Sequence, residues 1–201
     1  MIDVFLKAKH WQLFILIFGI PLISHIIMMF LMISDFNPGA NSDPREMFGF
    51  MKFIPLIAII FMIGYFGWLW SIAIGLQKQI PVHARMNPIK FKVLFILMFA
   101  YIISFIAGVT LIMNSFNNDT FQDIAMIGRL FWIIIPLHLF SMFCILYSIY
   151  FVAKTFKTAE LQRPVKFADF AGEFLMIWFY PIGIWIIQPK INKMVNGEME
   201  M

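Results

Sequence analysis

The chain has 201 residues, of which 62% are hydrophobic and 13% are charged, and its formal net charge is +4. A soluble domain has about 45–50% apolar and about 25% charged residues, and a domain of this length has too little interior to bury the excess. The composition therefore excludes an ordinary soluble domain. It also argues against nucleic-acid binding, because basic excess in a multi-pass membrane protein is normally a property of its loops.

Long apolar runs recur at the length that a membrane-spanning helix needs, about 20 residues for a hydrocarbon core of about 30 Å. We predict an all-α polytopic transmembrane helix bundle that forms one integral membrane domain over residues 1–201. The predicted spans are 11–33, 50–76, 93–113, 130–153 and 170–187. The first run, at about 23 residues, is too long for the apolar region of a signal peptide, so we expect it to remain in the mature protein.

The fifth run is the shortest and contains Glu173, Pro181 and Gly183. We expect it to cross the membrane once, because about 18 residues are enough for one crossing and short for two half-helices. The alternative is a re-entrant segment that turns back at residues 181–183 and leaves the C-terminus on the inner side. Such a segment is tolerated only where protein or water shields its backbone.

Basic residues concentrate in alternate loops, and such residues are retained on the cytoplasmic side of a membrane. We therefore predict a cytoplasmic N-terminus. Ten of the 15 basic residues then lie inside: Lys7, Lys9, Lys78, Arg85, Lys90, Lys92, Lys154, Lys157, Arg163 and Lys166. The eight in the two inner loops are also candidates for contact with anionic lipid, at about 1 kcal/mol per charge, or with a cytosolic partner. Ordinary retention is the simpler interpretation.

The inner loops, 77–92 and 154–169, share a local pattern. Ser71 precedes a Pro-Ile-Lys-Phe segment at Pro88, and Ser148 precedes a Pro-Val-Lys-Phe segment at Pro164, at similar distances. This pattern suggests that helices two and three are duplicated as helices four and five, an arrangement known in transporters. The alternative is a chance match in a biased composition.

Three ionisable residues fall inside predicted spans: His25, His138 and Glu173. Such residues are costly in a bilayer and are default functional candidates. The two histidines lie about 21 and 22 Å from the inner ends of their helices at 1.5 Å per residue, so a paired imidazole site can bind a metal or haem iron or relay protons. Hydrogen-bonded packing is the commoner role. Glu173 lies near a span end, where it can pair with Lys166.

Small residues recur at a spacing of four in two helices and place each set on one helix face, where another backbone can approach closely. The sets are Gly67, Ser71 and Gly75 in the second span and Ala100, Ser104 and Gly108 in the third. Such faces are typical of helix packing, and one of them can face a partner subunit.

The sequence contains no paired carboxylates, Ser–His–Asp set, nucleotide-binding loop or metal-ligand cluster. We therefore expect a non-enzymatic membrane subunit or accessory protein without a resident cofactor, which packs in the lipid bilayer against a membrane-protein partner or a second copy. The alternative is a carrier or channel for small solutes or ions. A third hypothesis is a haem or metal redox membrane protein that uses His25 and His138.

Two terminal motifs carry a resemblance. The first is Lys9-His10-Trp11-Gln12-Leu13-Phe14, and the second runs from Phe179-Tyr180-Pro181-Ile182-Gly183-Ile184-Trp185 through Gln188-Pro189-Lys190-Ile191-Asn192. They resemble the end motifs of small uncharacterised polytopic membrane proteins of Bacteroidota. The resemblance implies a multi-pass protein of a bacterial inner membrane, and no activity comes with it.

Overall fold

The computed structural model describes residues 2–35, 53–117 and 124–198. These ranges are mainly helical, with short connecting segments, and contain no β-strand. The α-helices are α1 (Ile2–Lys7), α2 (His10–Phe14), α3 (Ile20–Asp35), α4 (Ile54–Gly75), α5 (Ile89–Asn117), α6 (Ile124–Leu161), α7 (Phe167–Trp178) and α8 (Tyr180–Asn196). A π-helical segment joins α2 to α3, and two 3-10 turns follow α4: Ile15–Gly19, Leu76–Gln79 and Val82–Ala84.

Four helical stretches in the described residues are long and apolar enough to cross a membrane. They are His10–Leu31, Ile54–Gln79, Ile89–Ile112 and Trp132–Leu161. This confirms two predictions for the described residues: they form helices and no strands, and helices able to cross a membrane lie at the first four predicted spans. The fourth extends beyond its predicted end at 153, and residues 50–52 of the second prediction lie outside the described residues.

The first spanning helix contains a change of helical register where the sequence places a proline. The π-helical segment Ile15–Gly19 directly precedes Pro21. Proline has no N–H to donate to the carbonyl four residues earlier, and its ring crowds that carbonyl. A π turn is wider than an α turn, so the helix passes Pro21 without ending.

The fifth predicted span is not one helix, and a fifth crossing is not confirmed. α7 ends at Trp178, Phe179 has φ −88° and ψ 58°, and α8 begins at Tyr180 with a proline in its first turn. The two helices pack against each other and form a helical hairpin. The crossing predicted for residues 170–187 stays a prediction, and a hairpin is the form that the re-entrant alternative describes. The turn is so tight that an added Cβ on Gly183 would collide with the carbonyl oxygen of Met176. Glycine is therefore required at this position.

Both arms of the hairpin end at the same end of the bundle. α4 and α6 finish side by side there, since Gln162 Nε2 donates to the carbonyl of Gln79 at 2.9 Å. α7 begins a short loop after α6, and α8 returns to the same place, where Gln79 Nε2 donates to the carbonyl of Met194 at 3.2 Å. We call this the basic end, because exposed Lys78, Arg85, Lys90, Lys166 and Lys193 lie around it.

The tip of the hairpin reaches into the bundle. The Tyr180 ring lies 5.2 Å from that of Tyr65 and 5.6 Å from that of Phe61, centroid to centroid, both on α4. At 1.5 Å per residue, Tyr65 is roughly 20 Å from Gln79 at the basic end. The tip of the hairpin therefore lies roughly 20 Å from the basic end along the bundle.

The predicted duplication stays a prediction. The segments that follow the two inner loops differ in form, since α5 is a continuous helix and the counterpart is the broken hairpin.

The hydrophobic core lies in the half of the bundle next to the basic end. Its largest fully buried side chains include Trp68, Leu69, Phe91, Phe156, Phe170 and Ile184. In the other half, the outward residues of α3 and α6 are exposed, for example Ile23, Ile27, Leu139 and Phe143. Apolar surface of this extent has to be covered by lipid or by another protein.

Candidate functional site: a buried polar network at the hairpin base

Gln188 of α8 lies fully buried at the centre of the basic half. Its Oε1 accepts a hydrogen bond from Trp68 Nε1 of α4 at 2.8 Å. Its Nε2 lies 3.0, 3.2 and 2.9 Å from the carbonyl oxygens of Phe5, Leu6 and Ala8. The last carbonyls of a helix have no partner within it, so this amide supplies donors to the end of α1. One side chain thus connects α1, α4 and α8.

Asn192 repeats this contact one turn further along α8. Its Nδ2 donates to the carbonyl oxygens of Leu6 and Ala8 at 2.8 and 3.2 Å. Two side-chain amides therefore hold the C-terminal end of α1 against the hairpin. Sequence reasoning placed both amides in a resemblance motif but assigned neither a role; a glutamine directly after two isoleucines, Ile186 and Ile187, was the available signal.

The first small-residue set lies beneath α1. An added Cβ on Gly67 would come within 2.7 Å of Phe5 Cζ, and one on Gly75 within 2.8 Å of Ile2 Cγ2. Ser71 between them is 1% exposed. This face of α4 is therefore filled by the chain's own N-terminal helix, and leaves no room for a partner there.

An ion-pair network joins the hairpin to α6. Lys157 Nζ lies 2.7 Å from Glu160 Oε2 and 2.7 Å from Glu173 Oε1, and Lys190 Nζ lies 2.8 Å from Glu160 Oε1. The Glu173 side chain is only 9% exposed. The partner of Glu173 is thus Lys157, not Lys166 as the sequence suggested, because α7 folds back along α6.

Asp169 caps the first turn of α7. Its carboxylate accepts the backbone N–H of Lys166 at 2.8 Å and lies 3.3 Å from Arg163 Nη2. The backbone hydrogen bond, and then the guanidinium, hold the pKa of Asp169 below its ordinary value. The start of the hairpin is therefore fixed by a carboxylate that stays ionised at neutral pH.

The eight basic residues of the inner loops separate into two groups. Lys157 and Arg163 have acidic partners within the chain, and Lys154 lies 6.0 Å from the centroid of the Tyr150 ring. The others are exposed at the basic end: Lys78, Arg85, Lys90, Lys92 and Lys166. Contact with anionic lipid or a cytosolic partner stays a prediction for these five.

The two intramembrane histidines have different neighbours. His25 of α3 faces a cleft against Ala58 and Phe61 of α4. His138 of α6 has its Nδ1 3.2 Å from the hydroxyl of Tyr101 on α5. The described residues include no group of three or more His, Cys, Asp or Glu side chains that can hold a metal ion. The paired-imidazole hypothesis therefore gains no support from these contacts.

The second small-residue set is uncovered within the described chain. Ala100 and Ser104 are exposed, and an added Cβ on Gly108 would meet no atom within 4 Å. At about 100° per residue, this face of α5 lies opposite the buried Phe91 and Phe95. It therefore points away from the bundle.

The two terminal motifs that carry the resemblance contact each other. The ring centroids of His10 and Trp185 are 4.6 Å apart, and those of Phe14 and Trp185 are 5.5 Å apart. Since Gln188 and Asn192 also bond to carbonyls beside the first motif, the motifs form one structural unit, the junction of the N-terminal segment with the hairpin.

Comparison with known proteins adds no activity. No family model matches the chain, and neither a curated protein nor a solved structure matches it. The resemblance of the terminal motifs stays a prediction, and the function has to be argued from the geometry.

Proposed function

We propose that the protein is a non-enzymatic subunit or accessory protein of a bacterial inner membrane, with its N-terminus in the cytoplasm, that packs through α5 against another membrane helix. The observation that carries this proposal is the uncovered face of Ala100, Ser104 and Gly108. The partner is a second membrane protein or a second copy of this chain.

The contrast between the two small-residue sets supports the proposal. Small residues allow close helix approach, which gains van der Waals contact that lipid chains supply less well. In α4 this potential is used within the chain, because Phe5 and Leu6 fill the space above Gly67 and Gly75. In α5 the same spacing faces outward, where a helix from another chain can reach it.

The polar network fits a structural role. Gln188 and Asn192 bond to backbone carbonyls, and Lys157 bonds to two carboxylates. These groups hold α1, α6 and the hairpin together in the basic half. They form a rigid platform from which α5 and α6 extend with largely exposed outer halves.

The test is assembly of a variant whose own fold is unaffected. Gly108→Leu adds bulk where the chain has open space, so it should leave the subunit folded and block close approach of an external helix. We expect the wild-type complex, purified in mild detergent, to exceed the 23.6 kDa of one chain, with its components identified by mass spectrometry. Gly108→Leu should purify as a single chain.

The matched control is Leu139→Phe, which adds bulk to an exposed residue of α6 away from the small-residue face. It should assemble like the wild type. A wild-type chain that purifies alone as a monomer, or a Gly108→Leu variant that assembles normally, would contradict the proposal.

A carrier or channel is the second candidate, and the hairpin is the observation that favours it. Transporters build their binding sites from discontinuous helices that meet inside the membrane, and α7 and α8 meet at Phe179. Here the Ile177 carbonyl at the end of α7 accepts a hydrogen bond from the Tyr65 hydroxyl at 3.1 Å. In liposomes tested with proton, potassium and chloride gradients, this candidate predicts flux that Tyr65→Phe alters and Tyr147→Phe does not.

A further inference from the structure

A lateral cleft lies between α3 and α4 in the half of the bundle away from the basic end. Its volume is about 480 Å³, and its lining includes His25, Met28, Met29, Ile57, Ala58 and Phe61. The side chain of His25 is exposed to the cleft, and its imidazole is the polar group in an otherwise apolar lining. Among the residues that the structure describes, none hydrogen-bonds to His25.

An imidazole in this position favours a ligand with a polar atom. A polar group in an apolar medium without a hydrogen bond costs roughly 2–7 kcal/mol, depending on the reference state, and intramembrane ionisable residues are functional candidates for that reason. Neutral imidazole carries one N–H donor and one acceptor nitrogen. A ligand that offers one hydrogen-bond acceptor beside His25 would remove this cost.

The size and lining of the cleft favour an organic ligand. Ligand pockets occupy about 300–1,000 Å³ and have mainly hydrophobic walls with a few placed polar groups, as this cleft does. The flexible thioethers of Met28 and Met29 can adapt to varied apolar shapes. A partner helix fits less well, because its backbone groups are already hydrogen-bonded within the helix and only a polar side chain of that helix could accept from the imidazole.

We propose that the cleft binds a lipid-soluble molecule with an apolar body and a carbonyl group, and that an imidazole N–H of His25 donates a hydrogen bond to that carbonyl. A quinone and an acyl ester both have this chemistry. The apolar body lies against Met28, Ala58 and Phe61, and the ligand enters sideways from the bilayer. This inference is independent of the assembly role proposed for α5.

The test is competitive photolabelling of the full chain in nanodiscs. The probe is a decylquinone with a diazirine in its tail, and the competitors are decylubiquinone, methyl laurate and dodecane, which has no carbonyl. We expect label on residues 20–31 and 54–61, and at least one carbonyl competitor should displace it at about one tenth of the dodecane concentration. A tenfold difference is within the range of one hydrogen bond. Which carbonyl compound competes distinguishes a quinone from an ester.

Three variants complete the test. His25→Leu retains apolar bulk and should remove the advantage of the carbonyl competitors over dodecane, whereas His138→Leu should retain it. Ala58→Phe should reduce labelling of both segments by filling the cleft. Equal competition by dodecane in the wild type, an unchanged advantage in His25→Leu, or label spread evenly onto exposed α6 residues such as Leu139 would overturn the proposal. Elution as a single species in size-exclusion chromatography checks that each variant is folded.

Discussion

The amide of Gln188 has an unusual number of partners for one side chain. It meets the indole N–H of Trp68 and three backbone carbonyls from residues 5–8. A buried donor or acceptor that loses its hydrogen-bond partner lowers the free energy of unfolding by about 1–3 kcal/mol. Inside a membrane bundle, little water is present to replace the lost partner. Gln188 is therefore one of the two side chains, with Asn192, whose amides hold the N-terminal helix in place.

We expect Gln188→Leu to lower the free energy of unfolding by about 1–3 kcal/mol, because it leaves Trp68 Nε1 without its acceptor and removes one of the two amides that donate to the end of α1. The thermal midpoint in detergent, followed by tryptophan fluorescence, measures this. Asn196→Leu is the control, since Asn196 is an exposed amide on the same helix, and it should change the midpoint little. Equal midpoints for Gln188→Leu and wild type would mean that the amide network contributes no net stability.

The charged residues show how far sequence reasoning reached at this scale. Glu173 was identified as an intramembrane carboxylate, and the structure places it in an ion pair. From the sequence, Glu173 could either reach the membrane interface or pair with Lys166, which is near it along the chain. The pair with Lys157 depends on α7 folding back along α6, a long-range feature that charge spacing in the sequence does not encode.

At the scale of secondary structure elements, the four long helices could be predicted, whereas the hairpin corresponds to the alternative interpretation of the fifth run. Sustained apolar runs of about 20 residues mark a spanning helix, and four candidates were confirmed. The fifth run, residues 170–187, is also mainly apolar, so its composition alone does not distinguish it from the four spanning helices. The sequence contained residues that can break a helix, with Pro181 and Gly183 two residues apart, but a proline is also tolerated in a continuous membrane helix. Packing against α4 and α6 selects the hairpin.

The tight turn depends on Gly183, and a pair of glycine variants tests it. Gly183→Ala should destabilise the protein by about 1–3 kcal/mol, because the new methyl group collides with the Met176 backbone of α7 and forces the helices apart. Gly172→Ala should be neutral or stabilising by about 0.5–1 kcal/mol, because its methyl group has room and alanine favours a helix. Thermal midpoints of both variants in one detergent provide the comparison. A smaller loss for Gly183→Ala than for Gly172→Ala would contradict the hairpin geometry.

The two small-residue sets have the same spacing, and their spacing does not show which of them is covered within the chain. The difference comes from α1, a helix of six residues that is too short to be recognised by periodicity. Its Phe5 and Leu6 are buried against α4. α1 therefore covers the small-residue face of α4 and makes it part of the core. The small-residue face of α5 is not covered by any described residue.

The described part of the molecule is asymmetric along the axis of the helix bundle. The basic half contains the polar network, the hairpin and the largest buried side chains, whereas the other half has lateral clefts between α3, α4 and α5. The α4–α5 cleft, of about 650 Å³, is lined by residues such as Ile59 and Ile103. One half therefore provides stability and the other provides surface for lipid, ligand or partner.

This arrangement predicts which side of the membrane each end reaches. With four crossings and a hairpin that returns, Lys193 near the C-terminus lies on the same side as Lys90, whereas Ser34 lies on the other. We propose to replace each by cysteine in a Cys144→Ala background and to treat intact cells with a membrane-impermeant maleimide. Because basic loops are retained in the cytoplasm, Ser34→Cys should react in intact cells, and Lys90→Cys and Lys193→Cys only after permeabilisation. Reaction of Lys193→Cys in intact cells together with Ser34→Cys would instead require a fifth crossing.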